Sequence, residues 1–388
     1  MHHHPRRRPR VSPTHLASPP RGRSTRHLDD RRGGLRVTLT PQQLATTASE
    51  EGSATALANP NIALVKYWGK RDEALILPWT GSLSLTLDAA PTTTTVRLTD
   101  AADDVVLLGG RALEGTARSR VTRFIDLVRA LAGRDERVTV DSHNEIPTGA
   151  GLASSASGFA ALALAASTAF GLDLDRRALS RLARRGSGSA SRSIFDGIAV
   201  WHAGHDDESS FAEAVPAPGL ELGMVLTVLD ARAKSVSSRD GMRRTVDTSP
   251  YYPAWVERTP VELEEMLAAI ARADFTAVGT IAERNAMRMH ATMLGAEPPV
   301  RYWGPASVEL LDLVANLRGD GLECYATMDA GPNVKILCRA DAVDELATRI
   351  LEAQPDIGVI PARAGRGARL ITSEPGGSAG EQTTEGAR

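Results

Sequence analysis

The chain has 388 residues, 42% hydrophobic and 24% charged, which is the composition of an ordinary globular protein with room for two domains. It has no run near the ~18 apolar residues of a membrane-spanning helix, so we expect no membrane partner. Residues 1–36 carry ten Arg against two Asp, so the rest of the chain is more acidic than the net charge of -2 suggests. We therefore expect no nucleic acid partner. Cys324 and Cys338 lack metal-ligand spacing and fit a reducing cytoplasm.

The two ends of the chain have compositions that predict disorder. Residues 1–52 form a basic arm rich in Arg, Pro, Ser and Gly, and residues 373–388 form a polar tail of low complexity. The arm could contact RNA or an anionic surface, but an inert extension is the preferred interpretation. We predict an N-terminal domain over 53–205 and a C-terminal domain over 206–372, because Gly, Pro and acidic residues accumulate at the boundary.

Apolar periodicity predicts the helices and strands in chain order. The first half is predicted to hold strands at 54–58, 82–87, 92–98 and 137–144, helices at 116–132, 158–170 and 175–184, and an ordered stretch at 194–201. The strands at 82–87 and 92–98 are expected to pair across a turn. The second half is predicted to hold strands at 220–229, 324–328 and 334–337 and helices at 261–273, 275–294, 307–317 and 340–351.

Residues 145–157 have the order strand, glycine- and serine-rich turn, helix. Gly149 and Gly151 let the backbone approach a ligand, Ser154 and Ser155 add hydroxyl donors, and the helix presents free N–H groups. This combination suits a phosphate, although it lacks the lysine of the Walker pattern. A serine N-cap on a buried helix is the alternative.

Three further clusters combine basic groups with hydroxyls or aromatics, and one separate acid lies in a turn. Lys66 and Lys70 surround a Tyr-Trp pair and indicate an anion site, with snorkelling lysines as the alternative. Arg192 closes the segment 185–193, whose serines suit a carboxylate or phosphate better than a linker. Residues 234–242 again place basic residues beside hydroxyls. Asp329 lies in a turn between two predicted strands, where it is either a residue that stabilises the turn or a base positioned for catalysis.

No zinc pattern, Ser-His-Asp order or nucleotide-binding GxGxxG motif after a strand occurs in the sequence. The four clusters share an affinity for anions. Basic groups, hydroxyls and one acid are what phosphoryl transfer to an already anionic substrate requires.

In this order the clusters resemble the GHMP family of small-molecule kinases and, within it, the mevalonate diphosphate decarboxylase branch. The resemblance covers about residues 53–370, and its branch-specific motifs are Lys-Tyr-Trp-Gly-Lys at 66–70 and Met-Asp-Ala-Gly-Pro-Asn at 328–333. It implies an α+β fold of two domains, a ribosomal S5 domain 2-like N-terminal half and a ferredoxin-like C-terminal half, with the active site in the cleft between them. From the cysteine usage we expect a cytoplasmic enzyme, and we also expect a homodimer.

The family reaction is the ATP-dependent decarboxylation of (R)-mevalonate 5-diphosphate to isopentenyl diphosphate, with Mg²⁺ as cofactor. The resemblance implies that Asp329 orients or deprotonates the 3-hydroxyl beside Lys66, that Arg192 holds the C1 carboxylate, and that Ser155 is the catalytic serine. The implied substrate-binding residues are Asn61, Tyr67, Trp68, Gly69, Lys70, Ser187, Gly188, Ser189, Ala190, Ser191, Arg192, Ser238 and Arg239. The implied ATP-binding residues are Gly149, Gly151, Leu152, Ser154 and Ser155. The ligands of the metal stay unassigned.

Three other functions compete with this interpretation. A pure 3-kinase that stops at phosphorylation is disfavoured, because Asp329 and Lys66 are both present. A relative that acts on mevalonate 5-phosphate would share the cleft, although Lys70 and Arg239 favour the diphosphate. A non-catalytic anion-binding relative is disfavoured, because Asp329, Arg192 and Lys66 are all present.

Overall fold

A computed structural model of the chain describes residues 52–145, 154–229 and 236–371. The strands are β1 (Ser53–Ala58), β2 (Asn61–Val65), β3 (Lys70–Asp72), β4 (Leu77–Pro78), β5 (Ser82–Thr86), β6 (Thr92–Thr99), β7 (Val105–Leu108), β8 (Arg111–Ala112), β9 (Arg137–Asn144), β10 (Ile198–Trp201), β11 (Ala212–Ala214), β12 (Leu222–Val228), β13 (Tyr325–Met328), β14 (Val334–Arg339), β15 (Gly358–Arg363) and β16 (Arg369–Leu370). The helices are α1 (Gly115–Ala132), α2 (Ser154–Ala169), α3 (Arg176–Gly186), α4 (Ser238–Thr248), α5 (Tyr252–Ala271), α6 (Phe275–Leu294), α7 (Pro305–Gly319) and α8 (Val343–Ala353).

A six-stranded sheet of order β16-β1-β6-β9-β7-β8 carries the first helices. Only the pairing of β7 with β9 is parallel among its described strand pairs. The alanine-rich helix α2 packs on β1 and β6, and its buried face joins Phe124 of α1 and Leu179 of α3 in one apolar core. Because its side chains are small, α2 lies close to the sheet. This close packing fixes the direction of the α2 N-terminus.

A second sheet, β11-β10-β5-β2, joins the two halves of the chain. Its apolar face, which includes Ile62 and Leu85, packs with Met224 of β12 and with Phe275 and Ile281 of α6 in one buried core. The third sheet, β13-β14-β12-β15, covers its other face with α7 and α8. Residues at the end of β2 therefore lie against α6 and close to the β13–β14 turn.

The expected pairing of strands 82–87 and 92–98 is wrong. β5 pairs with β2 and β10, whereas β6 pairs with β1 and β9 in a different sheet. Every residue of β5 is buried, although Ser and Leu alternate along it. Its leucines face the shared core, and its serines Ser82 and Ser84 accept hydrogen bonds from a buried arginine.

Two helical regions also differ from the predictions. α4 was not predicted; it begins after Ser237, whose hydroxyl accepts a hydrogen bond from the backbone N–H of Asp240. α5 begins at Tyr252 rather than at 261 and continues through Pro260, where the sequence rule places a break. Packing of α5 against α6 outweighs that local preference.

The remaining predicted helices and strands are confirmed to within a few residues, as is the α+β class. The boundary at residue 205 stays a prediction. The basic arm and the polar tail fall almost wholly outside the described residues. Among the helices of the described ranges, none combines the length and apolar character needed to cross a bilayer.

Candidate active site

A cleft of about 370 Å³ opens where the two halves meet. It is lined by the segment after β2, the start of α2, a short 3-10 turn (Gly188–Ser191), the start of α4, α6 and the β13–β14 turn. The structure thus brings together most of the predicted site residues, namely Asn61, Lys66, Tyr67, Trp68, Lys70, Ser155, Ser187, Gly188, Ser189, Arg192, Ser238, Arg239 and Asp329. Among the described lining residues, Asp329 is the one carboxylate.

Asp329 lies between two ammonium groups. Lys66 Nζ is 2.8 Å from its Oδ1, and Lys335 Nζ is 3.4 Å from its Oδ2. Both lysines are buried, whereas the Asp329 side chain is 30% exposed toward the cleft. Burial lowers the pKa of Lys66 to about 8, because desolvation outweighs the attraction of Asp329. The carboxylate is therefore flanked by two ammonium groups while its exposed side is open to a ligand.

Lys66 is fixed in place from the second half of the chain. Its backbone N–H donates to Asn285 Oδ1 at 2.8 Å, and its Nζ also donates to the carbonyl of Ala63 at 2.8 Å. Asn285 Nδ2 donates in turn to Glu262 Oε2 at 2.6 Å, a buried carboxylate that also pairs with Arg284. Sequence reasoning missed Asn285 and Lys335, since neither lies in a glycine- or serine-rich stretch.

Arg192 is held by neutral oxygens at the wall of the cleft. Its guanidinium donates to Ser84 Oγ at 2.9 Å, to Ser82 Oγ and to Asn61 Oδ1 at 3.3 Å. Burial lowers the pKa of Arg192 to about 10. Within the described residues, no carboxylate lies within ion-pair distance of this guanidinium. A buried cation with only neutral partners is a strong attractor for an anionic ligand.

Three serine hydroxyls converge beside Arg192. Ser187 Oγ donates to Ser155 Oγ at 3.4 Å and lies 3.4 Å from Ser189 Oγ. Asn61 orients this turn by donating to the Ser189 carbonyl at 2.9 Å and to Ser193 Oγ at 2.8 Å. Long contacts among hydroxyls leave these groups able to turn toward a ligand.

The hydroxyl of Tyr67 is buried and has no hydrogen-bond partner in the described part of the chain. Burial raises the pKa of this phenol, so it stays a donor. Its ring meets Trp201 edge-on at 4.8 Å, and a Cβ on Gly188 would lie 2.9 Å from both rings. Because buried polar groups are normally paired, this hydroxyl is a candidate ligand contact.

A basic recess of about 490 Å³ adjoins the cleft. Lys70, Arg120 and Arg239 line both spaces, and Arg123 and Arg185 line the recess alone. Sequence reasoning missed Arg120, which donates to the Gly186 carbonyl at 2.7 Å and stacks 4.4 Å above the Phe159 ring. Glu73, whose Oε2 lies 2.6 Å from Lys70 Nζ, and Asp126 also line the recess. Its described lining therefore holds five cations and two carboxylates, and the recess is a net cationic extension of the site.

Several predicted residues have packing roles instead. Gly69 has φ +104° and lies under Tyr252, whose hydroxyl would be 1.9 Å from an added Cβ. Ala190 is wholly buried in the core, and Ser191 Oγ donates to the Gly188 carbonyl at 2.7 Å. These three residues do not line the cleft, and their assignment to substrate binding stays a prediction.

The predicted ATP-binding residues are only partly described. Ser154 lines an apolar groove of about 210 Å³, which shares Ser155 and Arg120 with the cleft. Gly149, Gly151 and Leu152 lie outside the described residues. Over the ranges that the structure describes, no three His, Cys, Asp or Glu side chains are grouped so as to hold a metal ion.

Comparisons with known proteins agree with this geometry. Residues 58–212 match the diphosphomevalonate decarboxylase-like N-terminal domain, and residues 224–366 match the mevalonate 5-diphosphate decarboxylase C-terminal domain. Human diphosphomevalonate decarboxylase is 37% identical over 79% of this chain and 82% of its own length. Phosphomevalonate decarboxylase of Haloferax volcanii is 32% identical over 79% of this chain and 93% of its own. A solved structure of MDDEF in complex with MVAPP, AMPPCP and magnesium is 48% identical, with a TM-score of 0.78 over 82% of this chain and 98% of that one.

Proposed function

Because the chain belongs to the diphosphomevalonate decarboxylase family, we propose that Lys66, Arg192 and Asp329 carry its reaction in this cleft. The reaction converts (R)-mevalonate 5-diphosphate and ATP into isopentenyl diphosphate, ADP, phosphate and CO₂, a step of the mevalonate pathway of isoprenoid biosynthesis. The observation that carries the proposal is the Lys66–Asp329 pair facing the buried, cation-rich cleft.

Asp329 would accept a hydrogen bond from the 3-hydroxyl of the substrate. As the oxygen of that hydroxyl bonds to the γ-phosphorus, the bond from the γ-phosphorus to ADP breaks and the proton moves toward the carboxylate. A tertiary alcohol is a far weaker acid than a carboxylic acid, so the carboxylate shares the proton only as the bond to phosphorus forms. Orientation of the hydroxyl therefore contributes more than basicity does.

Arg192 would hold the C1 carboxylate, helped by Ser187 and Ser189. After phosphorylation the C3–O bond breaks and phosphate leaves with the electron pair, which places positive character on a tertiary carbon. The C1–C2 bond electrons then form the C2–C3 double bond and release CO₂. Arg192 suits this step because its hydrogen bonds to Ser84 and Asn61 fix the guanidinium while its charge stays directed at the cleft.

Tyr67, Lys70, Ser238 and Arg239 would hold the substrate diphosphate. The unpartnered Tyr67 hydroxyl supplies a donor, and Lys70 and Arg239 line both the cleft and the basic recess. Ser238 is the first residue of α4, so free backbone N–H groups and the positive end of the helix dipole lie beside it.

ATP would bind at the start of α2. Ser155 and the loop residues Gly149 and Gly151 would hold its phosphates, and the apolar groove beside Ser154 would receive the base. Mg²⁺ accompanies the nucleotide and neutralises triphosphate charge. Because the described cleft offers one carboxylate, the Ser155 hydroxyl would be the protein group that helps to hold the ion as it enters with the nucleotide.

We also propose a cytoplasmic location and a homodimer. Cys324 and Cys338 are free and buried, as suits a reducing compartment. Light scattering would test the homodimer. That nucleic acid and membranes are not partners stays a prediction.

The decisive experiment compares two substrates. The purified chain is assayed for ATP-dependent CO₂ release with mevalonate 5-diphosphate and with mevalonate 5-phosphate, the substrate named for the Haloferax relative. We expect kcat/KM to favour the diphosphate by at least about 100-fold, because charge-assisted contacts to the second phosphate are lost in the monophosphate. Preference for the monophosphate would contradict the diphosphate assignment, and no CO₂ from either would contradict the enzyme.

A matched pair of variants locates the diphosphate. Arg239→Gln removes a cation that lines the cleft, whereas Arg243→Gln removes an exposed one on the same helix that pairs with Asp240. We expect Arg239→Gln to raise KM for the diphosphate about tenfold or more and Arg243→Gln to leave it within about twofold. Equal effects would place the diphosphate elsewhere.

A further inference from the structure

Lys335 reaches the catalytic carboxylate from behind the cleft. Its Nζ lies 3.4 Å from Asp329 Oδ2 while Lys66 contacts Oδ1, so each carboxylate oxygen faces a cation of its own. Lys335 is 2% exposed and does not line the cleft. It therefore contacts Asp329 without contacting the space that substrate would fill.

An apolar residue would fill the position of Lys335 at lower cost. Lys335 lies in the middle of the third sheet, opposite Thr327 of β13 and Leu226 of β12. Its neighbours Val334 and Ile336 belong to the core under α7 and α8, so Lys335 projects from the other face of β14. A buried ammonium loses its hydration, which a Leu or Met of similar size would avoid. Packing alone does not explain the charge.

Lysine is also scarce in this chain. Of its 45 Lys and Arg residues, 41 are arginine, and lysine occurs only at positions 66, 70, 234 and 335. Two of these four lysines meet at one carboxylate. A compact ammonium and a planar guanidinium are not interchangeable beside a carboxylate. The composition therefore singles out Lys66 and Lys335 as positions where the small cation matters.

The proposed reaction surrounds Asp329 with negative charge. A carboxylate, a diphosphate and a triphosphate would raise the pKa of Asp329, and a protonated Asp329 cannot accept the 3-hydroxyl proton. In the described part of the chain, the titratable and charged groups around it include Lys66 after β2, Arg192 beside the 3-10 turn, His290 on α6 and Lys335 on β14. His290 is neutral, because burial lowers its pKa to about 3. Among the described residues around Asp329, three cations are left to offset the anionic ligands.

We infer that Lys335 is a positioning residue for the decarboxylation, which holds Oδ2 of Asp329 from behind and keeps the carboxylate ionised while the anionic substrates bind. The inference rests on the proposed role of Asp329. Lys66 contacts Oδ1 of Asp329 and faces the cleft, whereas Lys335 contacts Oδ2 and supports the β13–β14 turn from the side away from the cleft.

The test replaces Lys335 by Met, which keeps the length of the side chain and removes its charge. We expect kcat to fall at least about tenfold, the acidic limb of the kcat–pH profile to move up by about one pH unit, and KM for both substrates to change less than about threefold. Lys335→Arg keeps a cation and should return the acidic limb toward its original position. Should Lys335→Met not fold, Lys335→Gln is measured in the same way.

Arg129→Met is the matched control. Arg129 is a buried cation paired with Asp104, and neither residue lines the cleft. The control should lower the melting temperature and leave the acidic limb unmoved. A wild-type chain that releases no CO₂ from mevalonate 5-diphosphate would overturn the proposed function itself. An active wild type whose Lys335→Met variant keeps its kcat and its acidic limb, or behaves as Arg129→Met does, would overturn the role of Lys335.

Discussion

Lys66 Nζ lies 2.8 Å from Asp329 Oδ1, although 263 positions separate the two residues in the chain. Lys66 follows a strand of the second sheet, and Asp329 occupies a turn of the third. The apolar core that contains both Ile62 and Met224 holds these sheets together. The proposed catalytic pair therefore depends on the junction of the two halves and cannot form in either half alone.

Replacement of Asp329 by Asn should separate binding from turnover. Asn keeps the size of the side chain but cannot take up the 3-hydroxyl proton, and general-base catalysis of this kind contributes about 10²- to 10⁴-fold. We expect kcat to fall by that amount while the dissociation constants of ATP and mevalonate 5-diphosphate change little. Calorimetric titration and CO₂ release measure the two quantities. Turnover near that of the wild type would refute the role of Asp329.

The pKa of Lys66 predicts how activity depends on alkaline pH. Because burial lowers this pKa to about 8, the free enzyme loses the Lys66–Asp329 ion pair as pH rises through that value. We expect kcat/KM to fall above about pH 8, and kcat to fall only at higher pH, because bound anions raise the pKa of Lys66 in the complex. A kcat/KM that stays constant to pH 9.5 would contradict this assignment.

Stability should change in the opposite direction over the same range. The pKa of Lys66 is about 8 in the folded chain against an ordinary value of 10.5, so the unfolded chain binds more protons between these values. The contribution of Lys66 to the free energy of unfolding therefore rises with pH there. Melting curves recorded beside the pH–rate profile would distinguish deprotonation of Lys66 from unfolding.

Sequence reasoning found the parts of the site that lie in local motifs and missed the parts that depend on tertiary contacts. Arg192 and Asp329 stand in glycine-containing turns, and periodicity located most of the flanking helices and strands. Asn285 and Lys335 lie within a regular helix and strand, where nothing local marks them. The pairing of 82–87 with 92–98 was predicted wrongly, because no sequence rule says that the serines of β5 bind an arginine 108 positions beyond Ser84.

Arg192→Lys should impair turnover while keeping the charge. Lysine cannot reproduce the planar fork that donates to Ser82, Ser84 and Asn61, so we expect kcat/KM to fall about 10- to 100-fold. Arg129→Lys, in a buried ion pair away from the cleft, should lower stability and leave kcat/KM within about twofold. Steady-state kinetics and melting curves measure both.

Product binding decides which group Arg192 holds. Isopentenyl diphosphate has no carboxylate, so we expect Arg192→Lys to bind it as tightly as the wild type does. Competitive inhibition by the product measures this affinity. Weaker product binding would place Arg192 at the diphosphate and refute the carboxylate assignment.

Gly69→Ala should destabilise the fold through two separable causes. Gly69 has φ +104°, which an alanine rarely adopts, and its added Cβ would overlap the Tyr252 hydroxyl that donates to the Trp68 carbonyl. We expect the free energy of unfolding to fall by at least about 2 kcal/mol. Gly133→Ala is the control, because Gly133 has φ +64° with nothing within 4 Å of an added Cβ. Gly133→Ala should lower the free energy of unfolding by about 1 kcal/mol, the cost of placing an alanine at positive φ without a steric overlap.

The double variant Gly69→Ala/Tyr252→Phe isolates the overlap. Removal of the hydroxyl frees space for the Cβ, so the double variant should lose less stability than the sum of the two single changes. Denaturant unfolding of the four proteins in this cycle measures the coupling. Strict additivity, with Gly69→Ala no worse than Gly133→Ala, would mean that the Tyr252 ring moves aside at no cost and that Gly69 is not required for packing.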